Sequence, residues 1–291
     1  MKTATLCDLP LFRQYFTRYP RRLCLYFPGM LFMWRDYFRL AFREEDETLT
    51  VRLAYDGVTD AYLPPIGRDP ASALFRLYTE TAAEGKPLHL VGLSEEDCQR
   101  IQKEYPNAAF TQDRGESDYL YETAALSRFA GRRYSGQRNH VNRFDRLYPD
   151  HRIERITPES ADRLSAFLSE FEALHATRPL FAEELAMTRE VLYRYEEYGM
   201  TGVVLSVGDR VAAFACGEVI GEVLSVHIEK ADTRFSGAYQ KIVSAFASTC
   251  DPTLTPLINR EDDMNDEGLR TSKLSYHPIE ILPKWRAEIR P

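Results

Sequence analysis

Asn259, Arg260, Glu261, Asp262 and Asp263 follow the apolar stretch TPLI, and Asp266 and Glu267 come close behind. Carboxylates crowded at the end of a strand repel one another unless cations answer them, and Arg260, Arg270 and Lys273 are near enough in sequence to do so. A cationic acceptor amine would serve the same purpose, and open sheets hold ligands at the carboxyl ends of their strands. Asp266 and Glu267 have a simpler use, because acids at a helix start meet its unpaired N–H groups. Asn259, Arg260 and Glu261 are therefore the better site residues, with Arg260 expected to bind substrate and Glu261 to act in catalysis.

A second constellation is His227-Ile-Glu229-Lys230. On a regular strand His227 and Glu229 share one face and Lys230 takes the other. Glu229, facing a cleft, would accept a proton from an attacking amine or hydroxyl; its bland alternative is an ion pair with a neighbour. Just downstream, Arg234-Phe-Ser236-Gly237-Ala238 leads into a helix, with Lys241 one turn on. Helix-start N–H groups, a glycine that admits close backbone approach and nearby cations make an anion cradle, or simply an ordinary capped helix. The third constellation is GRRYSGQRNHVNRF, in which Arg132, Arg133, Arg138, Asn139, His140 and Arg143 surround Tyr134. It is expected to hold the phosphates of a nucleotide, of coenzyme A or of an RNA end. The competing account is a solvated face paired with surplus acids.

The elements that position these residues are legible from periodicity. Strands are expected at FRLAF, LTVRLAY, DAYLPPIG and LHLVGL, and helices at ASALFRLYTETAAEG and SEEDCQRIQKEYP, the second with a Ser94/Asp97 capping box. After residue 150 the pattern restarts. A strand (HRIERI) and two helices precede three antiparallel strands, the first two joined by a tight Gly208-Asp209 turn. Then follow a helix, the strand TPLINR, the helix DEGLRTSKLSY and a last strand, PIEILPKW. The class is α+β, with two domains, 1–150 and 151–291, and the basic run at their seam.

Composition narrows the partners. A net charge of −7 argues against a general nucleic-acid coat but leaves room for a local basic face. Five scattered cysteines without CxxC spacing and six histidines without a ligand pattern imply neither a disulfide framework nor a metal site. The start has no apolar core of a secretory leader, and the stretch LCLYFPGMLFMW is too short to span a bilayer. A cytoplasmic location without stable membrane insertion is expected; the oligomeric state is not readable.

The element order of the second half resembles the GNAT acyltransferase fold. The Arg234-to-Ala238 stretch is similar to that family's loop before its donor-binding helix, with Tyr239 in place of a small residue. Asn259 and Lys273, Ser275 and Tyr276 loosely match the family's fifth strand and following helix. Over nearly the whole chain, DYLYETAALSRFAGRRYSGQRNHVNRF, VHIEKAD and GAYQKI resemble bacterial proteins related to the C-terminal domain of phosphatidylglycerol lysyltransferase. That resemblance implies two GNAT-like domains in tandem, each a mixed, mostly antiparallel sheet flanked by helices. It implies transfer of an acyl or aminoacyl group from coenzyme A or aminoacyl-tRNA to an amine or hydroxyl of a small acceptor, without a tightly bound cofactor. In that frame Arg234, Ser236, Gly237, Ala238, Asn259 and Lys273 would hold the donor. Tyr276 would serve as acid from the turn, because Thr271 stands where the family often carries a tyrosine. The alternative is a GNAT-like module that has lost catalysis and only binds a nucleotide or acyl compound.

Overall fold

In a computed structural model the described residues are 1–55, 57–175 and 181–291. The chain forms two compact units: residues 1–119, 261–270 and 281–291 make the first, and residues 120–260 and 271–280 the second. The division thus falls at 119/120 rather than near residue 150, and the stretch containing the basic run belongs to the second unit. Two later segments return to the first unit, which no linear reading of helix and strand signals reveals.

The first unit starts with β1 (Lys2–Thr3), α1 (Leu9–Arg18) and α2 (Pro28–Met33). The apolar stretch around α2 is core: Leu23 to Met33 are all buried, and Phe12 meets Phe16, Phe32 and Phe42 edge-on. β2 (Ala41–Glu45), β3 (Thr48–Tyr55) and β4 (Val58–Tyr62) form an antiparallel meander, and the short β5 (Ile66–Gly67) adds to β3. α3 (Pro70–Ala83) begins where the Asp69 carboxylate accepts the Ser72 N–H and proline takes the first position. It crosses to β6 (Leu88–Leu93), which runs parallel to β4. α4 (Glu95–Glu104) carries the expected Ser94/Asp97 box, and β7 (Ala109–Gln112) follows.

The second unit contains β8 (Asp118–Glu122) for most of its length, then α5 (Thr123–Arg128), α6 (Ser135–Leu147) and β9 (Arg152–Arg155). α7 (Ala161–His175), α8 (Phe181–Tyr193) and the short α9 (Tyr195–Tyr198) come next. β10 (Thr201–Val207), β11 (Arg210–Ile220) and β12 (Val223–Ala231) are antiparallel, with the anticipated turn at Gly208, whose φ is +56°. α10 (Ala238–Ala247) leads to β13 (Leu257–Asn259), α11 (Glu267–Ser275), β14 (Glu280–Leu282) and β15 (Trp285–Ile289). The expected single last strand is therefore two strands in different sheets.

The sheets run β1-β2-β3-β4-β6-β15-β7 and β14-β8-β13-β12-β11-β10-β9. The same motif recurs in each: an antiparallel meander, a helix, a strand parallel to the meander's last, then another helix. Both sheets are mixed, mostly antiparallel and flanked by helices, an α+β architecture with two GNAT-like sheets in tandem.

Candidate active site

β12 and β13 pair in parallel over only three positions, ending at Ser225 opposite Asn259. Beyond that rung β12 continues to Ala231 while β13 has ended, so the two strands part at their carboxyl ends. β12 also bulges: Val226 faces Gly217 and Ile228 faces Cys216, so His227 is an extra residue in the ladder. One extra residue reverses side-chain parity. Glu229 thereby shares a face with Leu224 and Val226, lining one small pocket with Val243 and Phe246 of α10. His227 instead bonds to Glu218 at 3.1 Å, both side chains being almost fully buried. The expectation that His227 and Glu229 share a face fails because of this bulge.

Arg260 is the centre of the cluster at the parted strands. Its guanidinium donates to Glu229 Oε1 at 2.7 Å and sits over the Tyr276 ring at 4.5 Å and the Tyr121 ring at 5.6 Å. Burial alone would lower its pKa, but Glu229 and the tyrosines outweigh that and hold it above the ordinary value. Its Nη1 is enclosed and has no hydrogen-bond partner among the described residues. An unsatisfied buried donor is costly and marks a place where another acceptor belongs. Burial pushes the Tyr276 hydroxyl pKa up, so it stays protonated, and Gln240 bonds to it.

Residues that place this cluster carry weaker sequence signals. Tyr121 is fully buried on β8 and its hydroxyl donates to the Lys273 carbonyl at 2.8 Å. Its alternation with Tyr119 in DYLYE is the one signal that points to it. Lys273 donates its ammonium to the Arg260 carbonyl and so anchors the turn that carries Arg260. Asn259 is fully buried at the last shared rung.

The start of α10 packs against α6. Gly237 has φ +90°, and a Cβ there would meet the His140 carbonyl oxygen of α6 at 2.4 Å. Tyr148 packs edge-on against Phe235, and Lys241 pairs with Asp145 at 2.7 Å. Arg234 is bound by Asp232 at 2.8 Å and Glu170 at 3.0 Å, and Ala238 is buried beside the half-buried Ser236. The α6 backbone thus packs directly against Gly237, a close helix approach that the missing side chain allows.

The acidic run divides. Glu261, Asp262 and Asp263 fall in the first unit, whereas Arg260 belongs to the second. Asp263, fully buried, is bound by Arg270 at 2.8 and 2.9 Å, the Tyr119 hydroxyl at 2.6 Å and the Asn265 N–H at 3.0 Å. Asp262 bonds to Lys284 at 2.6 Å, and the same ammonium reaches Asp118 at 2.9 Å and Cys24 Sγ at 3.2 Å. Arg270 answers Asp263 from nearby as expected, whereas Lys284 and Arg114 come from far along the chain. Asp266 accepts the Leu269 N–H at 2.8 Å, the helix-start role expected of it.

Of the basic run, Arg138 donates to the Phe129 and Gly131 carbonyls and so shapes its own loop. Arg133 lies over the Tyr134 ring at 4.9 Å and is 3.9 Å from Glu122. Arg132, Asn139, His140, Arg143 and Arg146 are all exposed at the surface.

A parted parallel pair beside a strand bulge, with a buried cation and a protonated hydroxyl at the gap, marks this end of the second sheet as the candidate site. The chain belongs to the family described as phosphatidylglycerol lysyltransferase, C-terminal, which matches residues 16–288. It is similar to a conserved protein of unknown function from Bacteroides thetaiotaomicron, with 31% identity, 99% of both chains covered and a TM-score of 0.92. L-PGS from Bacillus licheniformis shares the fold at 14% identity and a TM-score of 0.70, over 98% of this chain and 92% of that one. FemX shares it at 9% identity and 0.63, over 99% and 96%. An uncharacterized protein of Mycoplasmoides gallisepticum is 24% identical over 174 residues, 60% of this chain and 56% of that protein's length. No helix among the described residues is long and apolar enough to cross a membrane.

Proposed function

We propose that the second unit moves an aminoacyl group from the 3′ end of an aminoacyl-tRNA to an amine or hydroxyl by direct attack. The observation that carries this is the enclosed, unpartnered Nη1 of Arg260 at the gap between β12 and β13, with Tyr276 stacked on the same guanidinium. The acyl carbonyl oxygen would take that N–H and become the oxyanion under attack, where a buried donor is worth most. Glu229 would receive the proton released by the nucleophile. Once neutral, it would leave the Arg260 charge to face the oxyanion at the moment that charge appears. Tyr276, kept protonated by burial, would then protonate the departing ribose oxygen as the tetrahedral centre collapses.

Two features favour tRNA over coenzyme A as donor. The α10 start, where a pyrophosphate would sit, lies under the α6 backbone, and Arg234 and Lys241 are already bonded to acids. The surface arginines of the 132–146 stretch offer phosphate contacts instead. The relatives' names add phosphatidylglycerol as an acceptor to test beside small amines.

The test incubates the protein with radiolabelled aminoacyl-tRNA, phosphatidylglycerol vesicles or hydroxylamine, with acetyl-coenzyme A in parallel. Expected is ester consumption above the spontaneous rate and loss of roughly 10²-fold or more in Arg260→Met. Tyr276→Phe should be impaired while remaining folded. Consumption of acetyl-coenzyme A alone, or equal rates in Arg260→Met and the unaltered protein, would overturn the proposal.

A further inference from the structure

The pocket at the parted strands has a size and a lining, and both bear on which aminoacyl group fits. It is lined by Leu126, Leu224, Val226, Val243, Phe246, Ala247 and Ile258, with Glu229 and Arg260 as the charged groups among them. Its volume is about 10 Å³, room for roughly one water- or methyl-sized group. Glu229, the one acid there, already bonds Arg260 at 2.7 Å. A side-chain ammonium entering this pocket would meet apolar walls and a guanidinium, with its only counter-charge already engaged.

We infer that the donor carries a small apolar amino acid of alanine size, not a lysyl group. This rests on the aminoacyl-tRNA reading above. The α-carbon stands at the gap beside Arg260, and the methyl group enters the space bounded by Val226, Val243 and Phe246. Branched side chains are excluded by volume, because a well-packed wall does not absorb extra methylenes without shifting. Glycine fits but leaves the space empty. Phe246 and Ala247, on adjacent positions of α10, set the depth and are the specificity residues.

The experiment measures binding without turnover. One tRNA body is prepared bare and with alanine, glycine, valine or lysine joined through a non-hydrolysable 3′ amide, and affinity is read by fluorescence anisotropy. The alanyl form is expected to bind about four- to tenfold more tightly than the glycyl form, the range for one buried methyl. Valyl and lysyl forms should do no better than glycyl. Phe246→Ala deepens the pocket and should bring the valyl form up to the alanyl one. If that variant does not fold, Ala247→Val fills the pocket from the same helix and should erase the alanyl advantage while the bare tRNA still binds. Tightest binding of the lysyl form overturns the pocket assignment and leaves the donor reading standing. Failure of every tRNA, charged or bare, overturns the donor reading and the pocket assignment with it.

Discussion

Glu229→Gln separates the stability of the Arg260 cluster from its chemistry. The substitution keeps size and removes charge, leaving a guanidinium that is only 10% exposed without its counter-ion. Breaking one side of a buried pair costs about 3–5 kcal/mol. The Tyr276 and Tyr121 rings remain against the cation and each offsets about 0.5–1 kcal/mol. The net loss should therefore be about 1–4 kcal/mol. A double variant, Arg260→Met with Glu229→Leu, replaces both charges by apolar groups in a pocket already lined by leucine and valine. It should recover to within about 1 kcal/mol of the original, since apolar replacement of a buried pair is often neutral or better. Urea unfolding followed by circular dichroism gives the free energies, and hydrogen exchange of peptides covering 224–231 and 255–262 localises them. Transfer activity should be absent from both variants. A single variant as stable as the original, or a double variant no better than the single, would refute the view that this pair is held for function.

Asp263 is buried, and although burial alone would raise its pKa, Arg270, Tyr119 and the Asn265 N–H hold it below the ordinary carboxylate range. Its contribution to stability is then complete above an unfolded-state pKa of about 4 and lost as pH falls through the lower folded value. Asp263→Asn should cost about 3 kcal/mol at neutral pH and flatten the thermal midpoint against pH below about 4, measured by calorimetry. Gly237→Ala must place a Cβ against the His140 carbonyl at positive φ, so α6 should loosen and stability fall by about 2–3 kcal/mol, seen as faster exchange in 135–147. Arg143→Ala with Arg146→Ala should lower the slope of log affinity for tRNA against log salt by about 0.7–0.9 for each phosphate these arginines neutralise. An unchanged slope would remove α6 from the RNA interface.

The second unit's order of elements is legible because its members have strong local signals: the Gly208 turn and the apolar periodicity in α10. Glu229, Arg260 and Asn259 are readable as candidate residues from charge and position, and Tyr276 from the family resemblance; all four fall around one gap. Their partnership is not. Which face Glu229 takes depends on the bulge at His227, a single extra residue with no sequence signature of its own. Glu261 follows Arg260 directly yet lies in the other unit, because the chain passes from one unit to the other at that peptide. Lys284, Arg114 and Tyr119 answer Asp262 and Asp263 from 22, 149 and 144 residues away along the chain. Gly237 reads as a seat for phosphate, since close approach of a ligand and close approach of a helix make the same demand on a residue.

The place of β15 in the first sheet has a consequence for how the molecule is made. Residues 285–289 lie between β6 and β7 and bond to both. Until that strand leaves the ribosome, Leu88, Leu90 and Leu93 have no neighbour on one side, though everything else around them was synthesised long before. A nascent chain therefore holds an open strand edge through most of its synthesis, and a premature stop before Trp285 would leave that edge permanently bare and ready to pair with another molecule.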